Sequence, residues 1–216
     1  MPFHEYMFDG SCIVSSVLPP SSTDTYLSDE DLMSLGKFRN EFVRNHSATG
    51  LYLLRKHLSV IHPSSYKDYK IKLGERGKPY IPALPCFHFN ISHASGLVAL
   101  CHDAKPCGVD IETTNRFKME LVQRFFNKNE IKYIESLPEY LRDEYFTRLW
   151  TAKEAYVKMS GEGITDRFGD FYFDPDSKNI YSENKFILAS ISVKKIEFED
   201  KEFVGGKVIH NKEINR

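Results

Sequence analysis

Apolar and polar residues alternate loosely over residues 3–18 and the pattern stops at Pro19-Pro20, which predicts a first strand closed by a loop. Ser28 followed by Asp29, Glu30 and Asp31 places a cap and an acidic first turn at the positive end of a helix. Phe38, Phe42, Leu51, Leu54 and Leu58 then recur at helical spacing. They predict a helix over 37–61, with a break allowed near Gly50 and an end before Pro63. Gly74, Gly77, Pro79, Pro82 and Pro85 make residues 71–85 a loop with short extended pieces. Three strands are read at 87–92, 97–101 and 107–112, separated by turn-like segments. Two short helices follow at 118–126 and 129–137, and a long one at 139–159 stops at Ser160-Gly161. Strand-like runs return at 168–173, 185–193, 196–199 and 203–209. This order predicts an α+β fold of two lobes, 1–107 and 108–216, with the boundary near Cys107.

Composition narrows the function without naming it. At 216 residues the chain suits one large domain or two small lobes. Its 29 basic and 30 acidic residues leave a net charge of −1, which argues against a nucleic-acid partner bound through its phosphates. Met1 to Gly10 carries His4, Glu5 and Asp9 and reads as no secretory leader, and no apolar run reaches membrane-spanning length. A soluble cytoplasmic protein is expected. Cys12, Cys86, Cys101 and Cys107 match no C-x-x-C spacing, and their apolar neighbours favour buried free thiols over a metal site.

Three constellations carry candidate chemistry. In Val109-Asp110-Ile111-Glu112 the carboxylates stand two apart, so on a strand both project from one face and invite a cation such as magnesium. A solvated, charged strand edge explains the same spacing. Glu154 and Lys158 stack four apart on the long helix, where an ordinary surface ion pair is the plain reading. The apolar Leu149, Trp150, Ala152, Ala155 and Val157 narrow that charged face so that it can open on a cleft. Ser92-His93 ends a strand at a turn, where hydroxyl, imidazole and backbone N–H groups suit phosphate. A Ser-His nucleophilic pair is disfavoured, because adjacent strand residues face opposite ways. Lys78 lies on a breaker-rich loop, and Arg39, Arg44 and Arg55 fall on the early helix region; each is a ligand contact or a solvated charge.

Taken in order, Asn90-Ile91-Ser92-His93, Gly108-Val109-Asp110-Ile111-Glu112 and Trp150-x-x-Lys153-Glu154-Ala155-x-x-x-Lys158-x-x-Gly161 resemble the three signature motifs of the 4′-phosphopantetheinyl transferase superfamily. The resemblance extends through Gly77-Lys78-Pro79 and Arg124-Phe125-Phe126-x-Lys128-x-Glu130, and covers residues 70–165. With this chain length it implies the two-lobe, surfactin-synthetase-activating type. That type is a monomer of two similar lobes about a pseudo-twofold axis, each a small antiparallel sheet packed against helices, with coenzyme A in the cleft. The implied reaction moves phosphopantetheine from coenzyme A to a serine of an apo carrier protein and releases adenosine 3′,5′-bisphosphate. By the same resemblance Asp110, Glu112 and Glu154 hold magnesium, and Glu154 and Lys158 handle protons and leaving-group charge. Glu130 lies near the metal, Ser92 and His93 meet the coenzyme's phosphates, and Lys78 meets its adenine. Arg39, Arg44 or His46 is expected at the 3′-phosphate, where several relatives carry a lysine and arginine cluster and this chain departs with the stretch Lys37-Phe38-Arg39-Asn40-Glu41-Phe42-Val43-Arg44-Asn45-His46-Ser47. A non-catalytic binder of the same family and a magnesium-dependent pyrophosphohydrolase are the competing readings. Lys118, Arg124, Lys128 and Lys132 offer a basic face to an acidic carrier, or a merely solvated one.

Overall fold

The computed structural model describes residues 5–8, 11–161, 166–174, 177–182 and 187–210. The predicted first strand is a hairpin of β1 (Glu5–Phe8) and β2 (Cys12–Ser16). A short helix α1 (Pro20–Thr23) and α2 (Asp29–Leu35) lead to α3 (Glu41–Ile61). Helix α3 runs through Gly50 without a break: a Cβ there would lie 2.8 Å from Ile91 Cγ2, so the glycine lets the helix lie close to the sheet. After the small β3 (Lys72–Leu73) and β4 (Pro79–Tyr80) pair come β5 (His88–Ala94) and β6 (Leu97–Asp103). These complete an antiparallel sheet in the order β1-β2-β6-β5.

The second sheet begins at β7 (Cys107–Thr113). Helices α4 (Met119–Phe125), α5 (Lys128–Ser136) and α6 (Glu139–Ser160) follow. Helix α6 stops where Gly161 adopts the left-handed conformation, φ 74°, and returns its N–H to the Val157 carbonyl. A 3-10 turn at Asp166–Gly169 precedes β8 (Phe171–Asp174), β9 (Asn179–Ser182), β10 (Ile187–Phe198) and β11 (Lys201–His210). The runs predicted at 185–193 and 196–199 are one strand, because Lys194 and Lys195 stay paired with Gly205 and Val204; residues 185–186 lie outside the described residues. The order is β7-β11-β10-β9-β8.

One topology therefore occurs twice. In each lobe a strand leads to a long helix and then to a hairpin whose last strand pairs with the first: β2-β6-β5 and β7-β11-β10. Both sheets are antiparallel and each packs against helices, which is the α+β, two-lobe expectation. The lobes meet through an apolar cluster of Cys12, Val14, Leu97, Ala99 and Cys101 with Cys107, Val109, Ile111 and Phe203. No helix among the described residues is long and apolar enough to cross a membrane. All four cysteines are thiols, and Cys86 is exposed rather than buried, since it sits in the turn that follows Pro85.

Candidate active site

Strand β7 sorts its residues by face. Cys107, Val109 and Ile111 enter the apolar cluster between the lobes, and Gly108, Asp110 and Glu112 face the other way. Gly108 is where α6 comes down on the strand. A Cβ there would stand 2.1 Å from the Ala155 carbonyl oxygen and 2.5 Å from the Met159 nitrogen. That close approach brings Glu154 and Lys158, one helical turn apart, over the carboxylates of β7. On the other side, Asn90 of β5 accepts the Val109 N–H at 3.0 Å and so fastens β5 alongside β7.

Three side chains then close a triangle. The Ser92 hydroxyl donates to Asp110 Oδ1 at 2.9 Å, and Lys158 Nζ donates to both Ser92 Oγ, at 2.9 Å, and Asp110 Oδ1, at 2.6 Å. Asp110 is 3% exposed, and its second oxygen, Oδ2, is buried with no hydrogen-bond partner among the described residues. An orphaned, buried carboxylate oxygen is costly and signals an unfilled partner. Glu112 is capped by the Arg116 guanidinium, a pair absent from the sequence reading although its i,i+4 spacing was visible. Asp143 holds Arg116 in place by accepting the backbone N–H groups of residues 115, 116 and 117.

Crowding of carboxylates shows in their proton affinities. Burial, then the Asp110 charge, push the Glu154 carboxyl up to about 7, while the Lys158 ammonium works against that rise. Burial also raises Glu112, opposed by its hydrogen bond to Arg116. The donors Asp110, Glu112 and Glu154 suit a hard cation, yet among the described residues no three candidate ligands are gathered into a formed cage. In the structure Lys158 and Arg116 supply the positive charge instead.

The remaining predicted residues divide. His93 lies exposed at the cleft rim, 5.3 Å from the His46 ring, and its partial burial and then His46 lower its pKa. His46 itself is 2% exposed; Nδ1 donates to the Phe42 carbonyl and Nε2 accepts the Gly96 N–H, so neither nitrogen is left for a phosphate. Arg39 is exposed just before α3, and Arg44 is half-buried in its first turn. Lys78 turns inward, donating to the carbonyls of Cys107, at 3.2 Å, and Met159, at 2.5 Å, where it also meets the negative end of α6. Beside it a cavity of about 480 Å³ is lined by Lys78, Tyr80, Phe87, His88, Pro106 and Met159, among others.

Glu130 is not brought into the carboxylate cluster. Its Oε2 accepts from Lys153 Nζ and from the Asn127 N–H, both at 2.9 Å, and Oε1 accepts the Phe173 N–H at 2.9 Å. Both residues are at most 2% exposed, and Lys153 lies over the Phe171 ring at 4.3 Å. Asn127-x-x-Glu130 is a capping box for α5, a signal that was present in the sequence. Trp150 is half-buried and packs against the core among Phe125, Phe126, Phe146 and Phe168.

The model of the 4′-phosphopantetheinyl transferase superfamily matches residues 106–209. The 4′-phosphopantetheinyl transferase Sfp of Bacillus subtilis (strain 168) is 32% identical over 141 residues, 65% of this chain and 63% of the relative. The 4′-phosphopantetheinyl transferase gsp of Aneurinibacillus migulanus is 29% identical over 161 residues, 74% of this chain and 67% of the relative. Among solved structures, a holo-(acyl-carrier-protein) synthase from Bacillus anthracis str. Ames in complex with CoA is similar over 49% of this chain and 96% of its own. Its TM-score is 0.35 at 20% identity, a likeness too slight to carry weight. The chain thus spans about 63% of the length of the first of these curated relatives.

Proposed function

We propose that the chain, whose residues 106–209 match the model of the 4′-phosphopantetheinyl transferase superfamily, is an enzyme of that family and transfers phosphopantetheine from coenzyme A to a serine hydroxyl of an apo carrier protein. The observation that carries this reading is the Ser92–Asp110–Lys158 triangle beside Glu112 and Glu154, with Asp110 Oδ2 buried and unpartnered among the described residues. In the reaction the serine oxygen bonds to the β-phosphorus of coenzyme A. The pyrophosphate P–O bond breaks, and adenosine 3′,5′-bisphosphate leaves. Glu154, which burial and the Asp110 charge push up to about 7 in the metal-free chain, is the carboxylate that would accept the serine proton. Lys158, now paired with Asp110, would turn to the departing phosphate and offset its charge.

Asp110, Glu112 and Glu154 would hold magnesium together with the pyrophosphate oxygens, and the donor chemistry and the orphaned Asp110 oxygen both fit it. When bound, the ion supplies neutralisation of the phosphate charge. The cavity beside Lys78, walled by Tyr80 and Phe87, suits the adenosine end. With His46 committed to its own backbone contacts, His93, Arg39 and Arg44 are left for the 3′-phosphate, and His46 serves to seat His93. Glu130 then acts on α5 and Lys153 rather than on the serine. The same reading takes residues 1–107 and 108–216 as the lobes of a cytoplasmic monomer. It offers the exposed Lys118, Arg124, Lys128 and Lys132 to an acidic carrier domain.

The test is the mass of apo carrier domains after incubation with the purified chain, coenzyme A and magnesium. One added phosphopantetheine is expected. Several apo carriers left unmodified would remove the reading, and adenosine bisphosphate released without a carrier would favour a pyrophosphohydrolase.

A further inference from the structure

The backbone passes from the first sheet to the second once among the described residues, between the end of β6 at Asp103 and the start of β7 at Cys107. Cys101 and Cys107 face each other across that crossover with their sulfurs 3.5 Å apart. The Cys101 thiol donates to Cys107 Sγ, and the Cys107 thiol donates to the His88 carbonyl. We propose that this pair is a redox site: mild oxidation joins Cys101 to Cys107 and closes the crossover between the lobes into a small covalent ring. Bond formation requires the sulfurs to close to ~2.05 Å.

The surroundings assign unequal parts to the two thiols. Cys107 lies near two ammonium groups, Lys78, whose Nζ donates to the Cys107 carbonyl, and the buried Lys207. Its pKa is lowered, first by the Cys101 hydrogen bond, whereas burial drives the Cys101 thiol well up. Cys107 is therefore the attacking thiolate and Cys101 the resolving partner. Both sulfurs are buried, but the cavity by Lys78 is lined by Lys78, His88 and Pro106, residues that contact or adjoin Cys107, and this is the side from which a small oxidant would approach.

With hydrogen peroxide the steps balance. The Cys107 thiolate attacks one peroxide oxygen, the O–O bond breaks, and hydroxide leaves, giving a sulfenic acid. The Cys101 sulfur then displaces the sulfenic hydroxyl, which departs with the Cys101 proton as water and leaves the disulfide. Sequence spacing gave no hint of this, because Cys101 and Cys107 fit no known pairing motif. The inference does not depend on the transferase reading, and its test uses no substrate.

The test treats the folded wild-type chain with hydrogen peroxide, alkylates all remaining thiols after unfolding, and maps peptides by mass. The expected product has lost two hydrogens within the segment that holds Cys101 and Cys107, carries no alkyl group on either, and regains both on treatment with dithiothreitol. Backbone amide exchange over residues 102–106 should slow in the oxidised chain. The Cys101→Ser variant should instead drive Cys107 to sulfinic acid. Alkylation of both residues after oxidation, a bond from Cys101 to Cys12, or sulfinic Cys107 accumulating in the wild type would overturn the proposal. If Cys101→Ser does not fold, the wild-type map alone decides.

Discussion

The two lobes are held together by the same device and equipped very differently. In the first, Asp31 is the N3 residue of the α2 capping box and also grips Arg55 of α3 through two hydrogen bonds, at 2.7 and 3.0 Å. In the second, Glu130 is the N3 residue of the α5 capping box and grips Lys153 of α6 at 2.9 Å. Arg55 and Lys153 are each the fifteenth residue of a long helix. A short helix is thus pinned to a long one twice, by a carboxylate and a cation at matching places. The carboxylate pair occurs on one copy only: β7 carries Asp110 and Glu112, whereas β2, its counterpart, reads Cys-Ile-Val-Ser-Ser. The comparison teaches that Glu130 belongs to the repeated frame, and that Asp110, Glu112, Glu154 and Lys158 are an addition to it.

The sharpest strain on this comparison is helix seating. A methyl group at Gly108 would collide with α6 backbone atoms at 2.1 and 2.5 Å, which cannot rotate away. Gly108→Ala is expected to cost about 5 kcal/mol or to prevent folding in urea denaturation. Gly50→Ala meets side-chain rather than backbone atoms, chiefly Ile91 Cγ2 at 2.8 Å, which must shift, and should cost about 1–3 kcal/mol. Equal losses at the two glycines would mean that the helices are seated alike.

Next in size are the pinning pairs. Asp31→Ala and Glu130→Ala each leave a buried cation uncompensated and should lose ~3–5 kcal/mol. In both variants the folded fraction should retain its transfer rate. A Glu130→Gln chain that melts normally yet fails to transfer would break the parallel and return Glu130 to the catalytic group.

The smallest effects are in pH, and they run in opposite directions in the two lobes. His102 of β6 stacks on His57 of α3 at 3.7 Å; burial and then the His57 charge lower it to about 4. Folding therefore favours its neutral form, so its contribution is present above the ordinary value of 6.5 and is lost as pH falls toward 4. Glu154, raised to about 7, does the reverse. Its contribution is present below the ordinary 4.5 and is lost as pH rises through 7. Both groups are partly solvated, so each accounts for about 1 kcal/mol after screening. In metal-free protein, His102→Asn should flatten the acid side of the stability profile and Glu154→Gln the neutral side. An unchanged profile in either variant would remove that assignment.

Much of this frame was legible in the chain because its signals are local. Ser28 caps α2 where expected, Gly161 ends α6, and the strands at β5, β6 and β7 fall within a residue or two of the predicted ones. What escaped depends on contacts between distant residues. Gly50 read as a break because a helix-weakening residue looks the same whether it ends a helix or lets it lie on Ile91. Arg55 read as a solvated or ligand-binding charge, since its partner lies 24 residues away. His46 looked like a phosphate ligand until Phe42 and Gly96 were found to occupy both of its nitrogens. The Asp110–Glu112 and Glu154–Lys158 spacings were visible, but only the fold puts Lys158 on Asp110, 48 residues away, with Ser92 between them.

The most direct measurement compares the rate of phosphopantetheine transfer to an apo carrier domain by the wild type, Asp110→Asn and Asp31→Asn, each corrected for its folded fraction. If the carboxylates of the second lobe carry the chemistry, Asp110→Asn should fall by about 10²–10³-fold while retaining its fold, and folded Asp31→Asn should work at the wild-type rate. Near-wild-type transfer by Asp110→Asn would contradict the account.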